Sequence, residues 1–182
     1  MARRKGLVLV LASVGAIALV IASVGVAGGG KSKKVEAKLT GFEEVPVNIT
    51  GGKGKAKLKV RNGTSAGTIE WKLSYSGLSS PATAAHIHLG QEGVIGGVAV
   101  HFCGTGGTAP CPEGNTPTKV TVEGTATAAN VVAIVAQGLV AGDMANLQKA
   151  IKAGVTYVNV HSAPFPNGEI RGQLDRRHGD DD

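Results

Sequence analysis

Apolar and polar residues alternate with a period of two along several short stretches of the chain. Ala56, Leu58 and Val60 share one face while Lys55, Lys57 and Lys59 share the other, the pattern of a half-exposed β-strand. Asn62 and Gly63 follow as a turn signal. Ile69, Trp71, Leu73 and Tyr75 then oppose Thr68, Glu70, Lys72 and Ser74, so the two segments predict a hairpin over a core. Further strands are expected around Ala84–Leu89, Val98–Cys103, Lys119–Gly124, Tyr157–His161 and Glu169–Leu174. Met144, Leu147 and Ile151 stand at helical spacing with Gly154 behind them as a stop, which predicts one short helix over Asp143–Ala153. The apolar run within Ala128–Gln137 suits a buried strand or a helix, and periodicity does not separate them. The expected fold is mainly β: an antiparallel β-sandwich or barrel with one short helical insertion, preceded by an N-terminal apolar helix.

Composition narrows this picture. With 28 Gly, 3% aromatic and 42% hydrophobic residues, the chain suits short strands joined by glycine turns and excludes an all-helical bundle. At 182 residues it holds one domain once the N-terminus is set aside. Arg3, Arg4 and Lys5 precede a run from Gly6 to Ala27 that carries no charge. A cleaved export signal with a cut near Gly25 and Ala27 and an uncleaved anchor of about 20 residues both fit that run. Residues 1–27 are therefore expected to be a signal peptide or signal-anchor helix, 28–34 a linker, 35–174 the domain and 175–182 an acidic tail. The basic flank sends the domain outward, to an extracytoplasmic place, secreted or held to the membrane through residues 6–27.

The net charge of +6 changes meaning once it is located. Arg3, Arg4, Lys5, Lys31, Lys33 and Lys34 flank the apolar run, and without them the remaining Lys and Arg balance the Asp and Glu. A nucleic acid is not an expected partner.

Candidate chemistry sits on the strands. His86 and His88 are two residues apart, so on a strand both rings project from one face, about 7 Å apart along it. Tyr157, Asn159 and His161 likewise share a face opposite Val158 and Val160. His101 alternates with Val100 and could join them, whereas His178 lies in the charged tail. Imidazoles without thiolates favour copper over zinc. Glu92, Glu169 or Asn159 could supply an oxygen ligand or a hydrogen bond to a ring. The same histidines could instead only hydrogen-bond across a sheet. Arg171 could pair with Glu169 or Glu44, or bind an anion beside a metal. Cys103 and Cys111 lack the spacing of a redox or zinc motif and, outside the cytoplasm, are expected to form a disulfide. No serine elbow or phosphate loop is present, so no catalytic residue is assigned.

Three ordered blocks carry a family resemblance. Leu39-Thr40-Gly41-Phe42-Glu43-Glu44-Val45-Pro46, Ala85-His86-Ile87-His88-Leu89-Gly90 and the stretch from Gly154 to His161 with Pro166 to Leu174 together resemble the CHRD domain. That domain is named from chordin and found in many microbial exported proteins. Val47 stands where the family more often has a second Pro, and Ser162 where Thr is more usual. The resemblance implies an exported binding module, with a structural or adhesive domain as the alternative. A fainter similarity to copper-zinc superoxide dismutase, which also carries a His-x-His pair, adds a copper redox enzyme as a further alternative, by analogy alone. Sequencing the N-terminus of the mature protein separates the two forms of export: a start near Gly28 means cleavage, and retention of Arg3 means an anchor.

Overall fold

A computed structural model of the chain describes residues 32–62, 67–115 and 118–175. The expected N-terminal helix and the end of the acidic tail lie outside these residues, as does Gly63. Among the described residues no helix is long and apolar enough to cross a membrane.

Among the described residues eight strands form the fold: β1 (Ser32–Thr40), β2 (Lys53–Arg61), β3 (Thr68–Ser76), β4 (Ala82–Leu89), β5 (Gly97–Cys103), β6 (Val120–Ala126), β7 (Thr156–Ser162) and β8 (Ile170–Gln173). They make one antiparallel sheet in the order β5-β4-β7-β8-β1-β2-β3-β6. The sheet curls into a nearly closed barrel. Trp71 of β3 and Phe102 of β5 stack with ring centroids 4.1 Å apart, an apolar contact between the two halves of the barrel.

The expected hairpin is present, with Ala56 opposite Leu73 and Val60 opposite Ile69. Its apolar face packs inward with Val35, Leu39, Ile87, Val158, Val160 and Ile170, all buried in one core. Strand β1 was not among the expected strands, although Val35, Ala37 and Leu39 alternate with Glu36 and Lys38. It begins at Ser32, and its ladder to β2 takes in Lys33 and Lys34, which the sequence reading placed in a linker.

The single α-helix among the described residues, α1 (Met144–Ala153), has Asp143 as its N-cap, accepting from the Asn146 N–H at 3.0 Å. Gly154 closes it in the left-handed region at φ 74°, where a glycine carries no steric cost. Met144, Leu147, Gln148 and Ile151 are its buried face. The Gln148 amide donates to the Arg61 carbonyl at 3.0 Å, docking the helix on the end of the β2–β3 hairpin.

Ala128–Gln137 is neither the strand nor the helix that its apolar run suggested. It folds as two short 3-10 turns, Ala128–Asn130 and Val135–Gln137. The Asn130 side chain caps the Thr127 N–H, and Gly138 stops the second turn, so local polar bonds interrupt the run. Gln137 then bonds the Gly97 N–H and the Leu89 carbonyl, fastening the segment to β4 and β5.

Cys103, the last residue of β5, is bonded to Cys111, and no described cysteine is free. Closing so short a loop restricts the unfolded chain by about 2–3 kcal/mol. The Cys103→Ser, Cys111→Ser double variant is expected to lose stability of that order in chemical denaturation, with native β-signal kept at low denaturant. An unchanged midpoint would contradict the loop-closure account.

Candidate metal centre

Strand β7 is buried along its whole length. Val158 and Val160 enter the core, so Tyr157, Asn159 and His161 must face the other way. The ladders set what meets them: His88 lies opposite Tyr157, His86 opposite Asn159, and Ala84 opposite His161. One row crosses the sheet as His101, His86, Asn159 and Arg171, in β5, β4, β7 and β8. The sequence alternation therefore placed these side chains on the correct face.

His86, His88 and His161 converge and are buried, each offering a nitrogen no more than 4.8 Å from the others. These three could hold a metal ion. His86 Nδ1 is 3.1 Å from His161 Nε2. Two nitrogens bound to one ion at about 2.0–2.1 Å, near right-angled or tetrahedral, stand about 2.9–3.4 Å apart.

The hydrogen bonds define which nitrogens carry protons. A carbonyl only accepts, so His161 Nδ1 donates to the Pro166 carbonyl at 2.9 Å, and His88 Nδ1 donates to that of Gly96 at 3.0 Å. Each neutral ring is left with a bare Nε2. That of His88 is buried without a hydrogen-bond partner. His86 has a choice, because its Nε2 lies 2.7 Å from the Thr105 hydroxyl, which can donate or accept. With the proton on Nε2, its Nδ1 lone pair joins the other two.

The surroundings orient the rings. His88 stacks on Tyr157 with centroids 4.7 Å apart, and the Arg171 guanidinium sits 3.5 Å from the centroid of the same Tyr157 ring. The Tyr157 hydroxyl accepts from the Gly96 N–H at 3.2 Å. Asn159 Oδ1 lies 3.0 Å from His161 Nε2. Thr105 reaches His101 Nδ1 at 2.9 Å as well as His86, and it stands in the loop that the disulfide closes.

Not every candidate enters the cluster. His101 is half-exposed beside it, its ring edge-on to His86 at 4.9 Å. Glu92 is exposed in the loop after β4. Glu169 precedes β8 in a bend, so strand alternation does not govern it. Its carboxylate accepts from the Ser79 N–H and hydroxyl at 2.8 and 3.0 Å, away from the rings. Arg171 consequently does not pair with Glu169; it donates to the Gln91 carbonyl at 3.0 Å and interacts electrostatically with Glu44.

Glu44 and Thr105 are the groups that strand patterning passed over as parts of the site. Glu44 is buried with Oε1 lacking a hydrogen-bond partner, beside a cleft of about 160 Å³ that Pro166 and Gly168 also line. Gly168 has φ 130°, and a Cβ there would strike the Glu44 carboxylate and approach Asn159 Nδ2. The Pro-Asn-Gly turn thus lets a carboxylate reach the site's edge.

Burial sets the charge state. It drives His86 down to about 3, helped by the neighbouring His161, His88 and His101. His88 falls to about 4, chiefly by burial, against the opposing bond to Gly96. His161 is lowered for the same reason, against its bond to Pro166. All three are neutral at pH 7 and need lose no proton to accept a cation. Glu44 moves the other way, pushed up to about 7 by burial, with Arg171 opposing.

The CHRD domain family model matches residues 35–174 of the chain, the span that the three sequence blocks cover. No curated protein and no solved structure matches it.

These shifts fix a pH dependence. An unfolded histidine titrates near 6.5, so between about pH 6.5 and pH 4 the unfolded chain binds more protons than the fold, and stability falls with pH. Glu44 opposes this: its contribution is full below the unfolded value of 4.5 and is lost as pH rises through about 7. Three rings outweigh one carboxyl. Urea midpoints without added metal are expected to drop steadily from pH 6.5 to 4, with a shallower slope in His86→Gln plus His88→Gln. Equal slopes for the two proteins would contradict the neutral cluster.

Proposed function

We propose that this chain, which belongs to the CHRD domain family, is an exported or membrane-anchored binding module that holds one copper ion through His86, His88 and His161. The observation that carries the reading is the convergence of three neutral buried imidazoles, one with a buried ring nitrogen that makes no well-formed hydrogen bond. A buried polar atom without a partner carries a desolvation cost, and a ligated ion relieves it. Both cysteines are consumed in the disulfide, so thiolate is absent from the set. Nitrogen donors of this kind favour Cu(II) over the other divalent first-row ions. A bound ion would draw His88 inward, since ligands of one ion span about 4 Å at most. The Pro166 carbonyl and Thr105 would hold His161 and His86 in orientation, and Arg171 would brace the Tyr157 ring behind His88. The basic residues ahead of the run from Gly6 to Ala27 support export.

Titration of untagged protein with Cu(II) and Zn(II), followed by calorimetry and absorption, is expected to give one saturable site preferring copper. His86→Ala plus His88→Ala should abolish it, and Thr105→Val should weaken it about tenfold, as loss of a ligand's hydrogen-bond partner does. Absence of saturable binding, or binding that survives the double substitution, would leave a purely structural or adhesive domain. Superoxide turnover far above that of copper on unrelated proteins would make the site enzymatic instead.

A further inference from the structure

The half of the barrel formed by β1, β2, β3 and β6 turns an unusual face outward. Lys34 lies directly opposite Lys59, Lys38 opposite Lys55, and Lys57 opposite Lys72. Like charges placed across a ladder are destabilising, so the fold carries three such pairs at a cost. Lys53 and Arg61 extend the same face at the two ends of β2. The carboxylates on it are Glu36, which takes Lys55 and Lys57, Glu70, which takes Arg61, and Glu123, which takes Lys72. Lys34, Lys38 and Lys53 have no ion pair among the described residues.

Protection of an exposed sheet edge does not explain these lysines. Lysines that block aggregation belong on edge strands, and the edges here are β5 and β6. A chain whose charge balances beyond its N-terminal segment therefore concentrates cations on central strands.

We propose that this face docks a linear acidic polysaccharide. Cations recur about every 7 Å along a strand and about 5 Å across strands, a spacing suited to a polymer with one acid group per sugar or two. A depression of about 270 Å³ on the face is lined by Lys34, Lys57, Lys59 and Lys72, with the ion-paired Glu36 and Glu70 between them. The lysine strip is bordered by hydroxyls: Ser74 lies opposite Lys55 and Thr121, Ser76 opposite Lys53, and Thr125 opposite Glu70. Hydroxyls beside cations match the mixed hydroxyl and acid groups of such a chain. The large exposed apolar residues among the described ones, Phe42, Val47, Ile49, Val94, Ile95, Val135 and Val140, all lie off these strands. The face thus offers no wedge for a bilayer, and its one aromatic, Trp71, is stacked on Phe102. Its lone arginine is engaged by Glu70.

Calorimetric titration of the full chain with heparin oligosaccharides of graded length tests the surface. Affinity is expected to rise with oligosaccharide length and to fall at least tenfold between about 50 and 200 mM salt, through counterion release. The Lys34→Gln, Lys38→Gln, Lys53→Gln triple variant should bind at least tenfold more weakly with an unchanged unfolding midpoint. Lys149→Gln, on α1, should change affinity less than twofold. Three results would overturn the assignment: no binding, equal losses in the triple and the Lys149 variants, or tighter binding to duplex DNA or phosphatidylglycerol vesicles than to heparin. None of these outcomes depends on the metal centre.

Discussion

Strand β7 has no solvent side, and the rest of the molecule is arranged around that constraint. Thr156 to Ser162 are all buried, so the pleat that sends two valines into the core forces Tyr157, Asn159 and His161 into a second, polar interior. Polar groups so enclosed have to be satisfied by each other or by a ligand. The neighbouring strands meet that demand in register: β4 supplies two rings and β8 supplies Arg171. The core and the histidine cluster are thus two sides of one strand, and neither can be rearranged alone.

Selection of the ring nitrogens is assigned to loops. The Pro166 and Gly96 carbonyls fix the protonation of His161 and His88 from turns joining strands of this half of the barrel, and the Thr105 hydroxyl, in the loop that leaves β5, can accept from His86. Strands place the imidazoles, while the turns decide which lone pair points inward. The disulfide keeps the Thr105 turn short, so a covalent bond outside the cluster helps to set its geometry.

Much of this was legible in the chain because strand alternation is local. His86 and His88, and Tyr157, Asn159 and His161, follow directly from a two-residue period. Strand β1 showed the same signal in Val35, Ala37 and Leu39, but its lysines read as a flank of the apolar run. Glu169 was misplaced because alternation was carried one residue beyond β8, into a bend. Thr105 and Glu44 reach the site only through tertiary folding, from loops without periodicity. Lys55, Lys57 and Lys59 were legible as one face of β2, but their extension by Lys34, Lys38 and Lys72 was not: counting net charge adds signs and discards position, whereas the ladder register separates them.

Strands β1 and β8 run antiparallel, with Glu36 bridged to Asp175 and Thr40 opposite Arg171. Ser32 and Asp175 therefore leave the barrel at the same pole. The row through His86, Asn159 and Arg171 sits at the level of Thr40, on the order of 25 Å from Ser32 at ordinary strand rise. The described domain consequently has a polarity: its first and last strands open toward one pole, and the imidazoles lie toward the other.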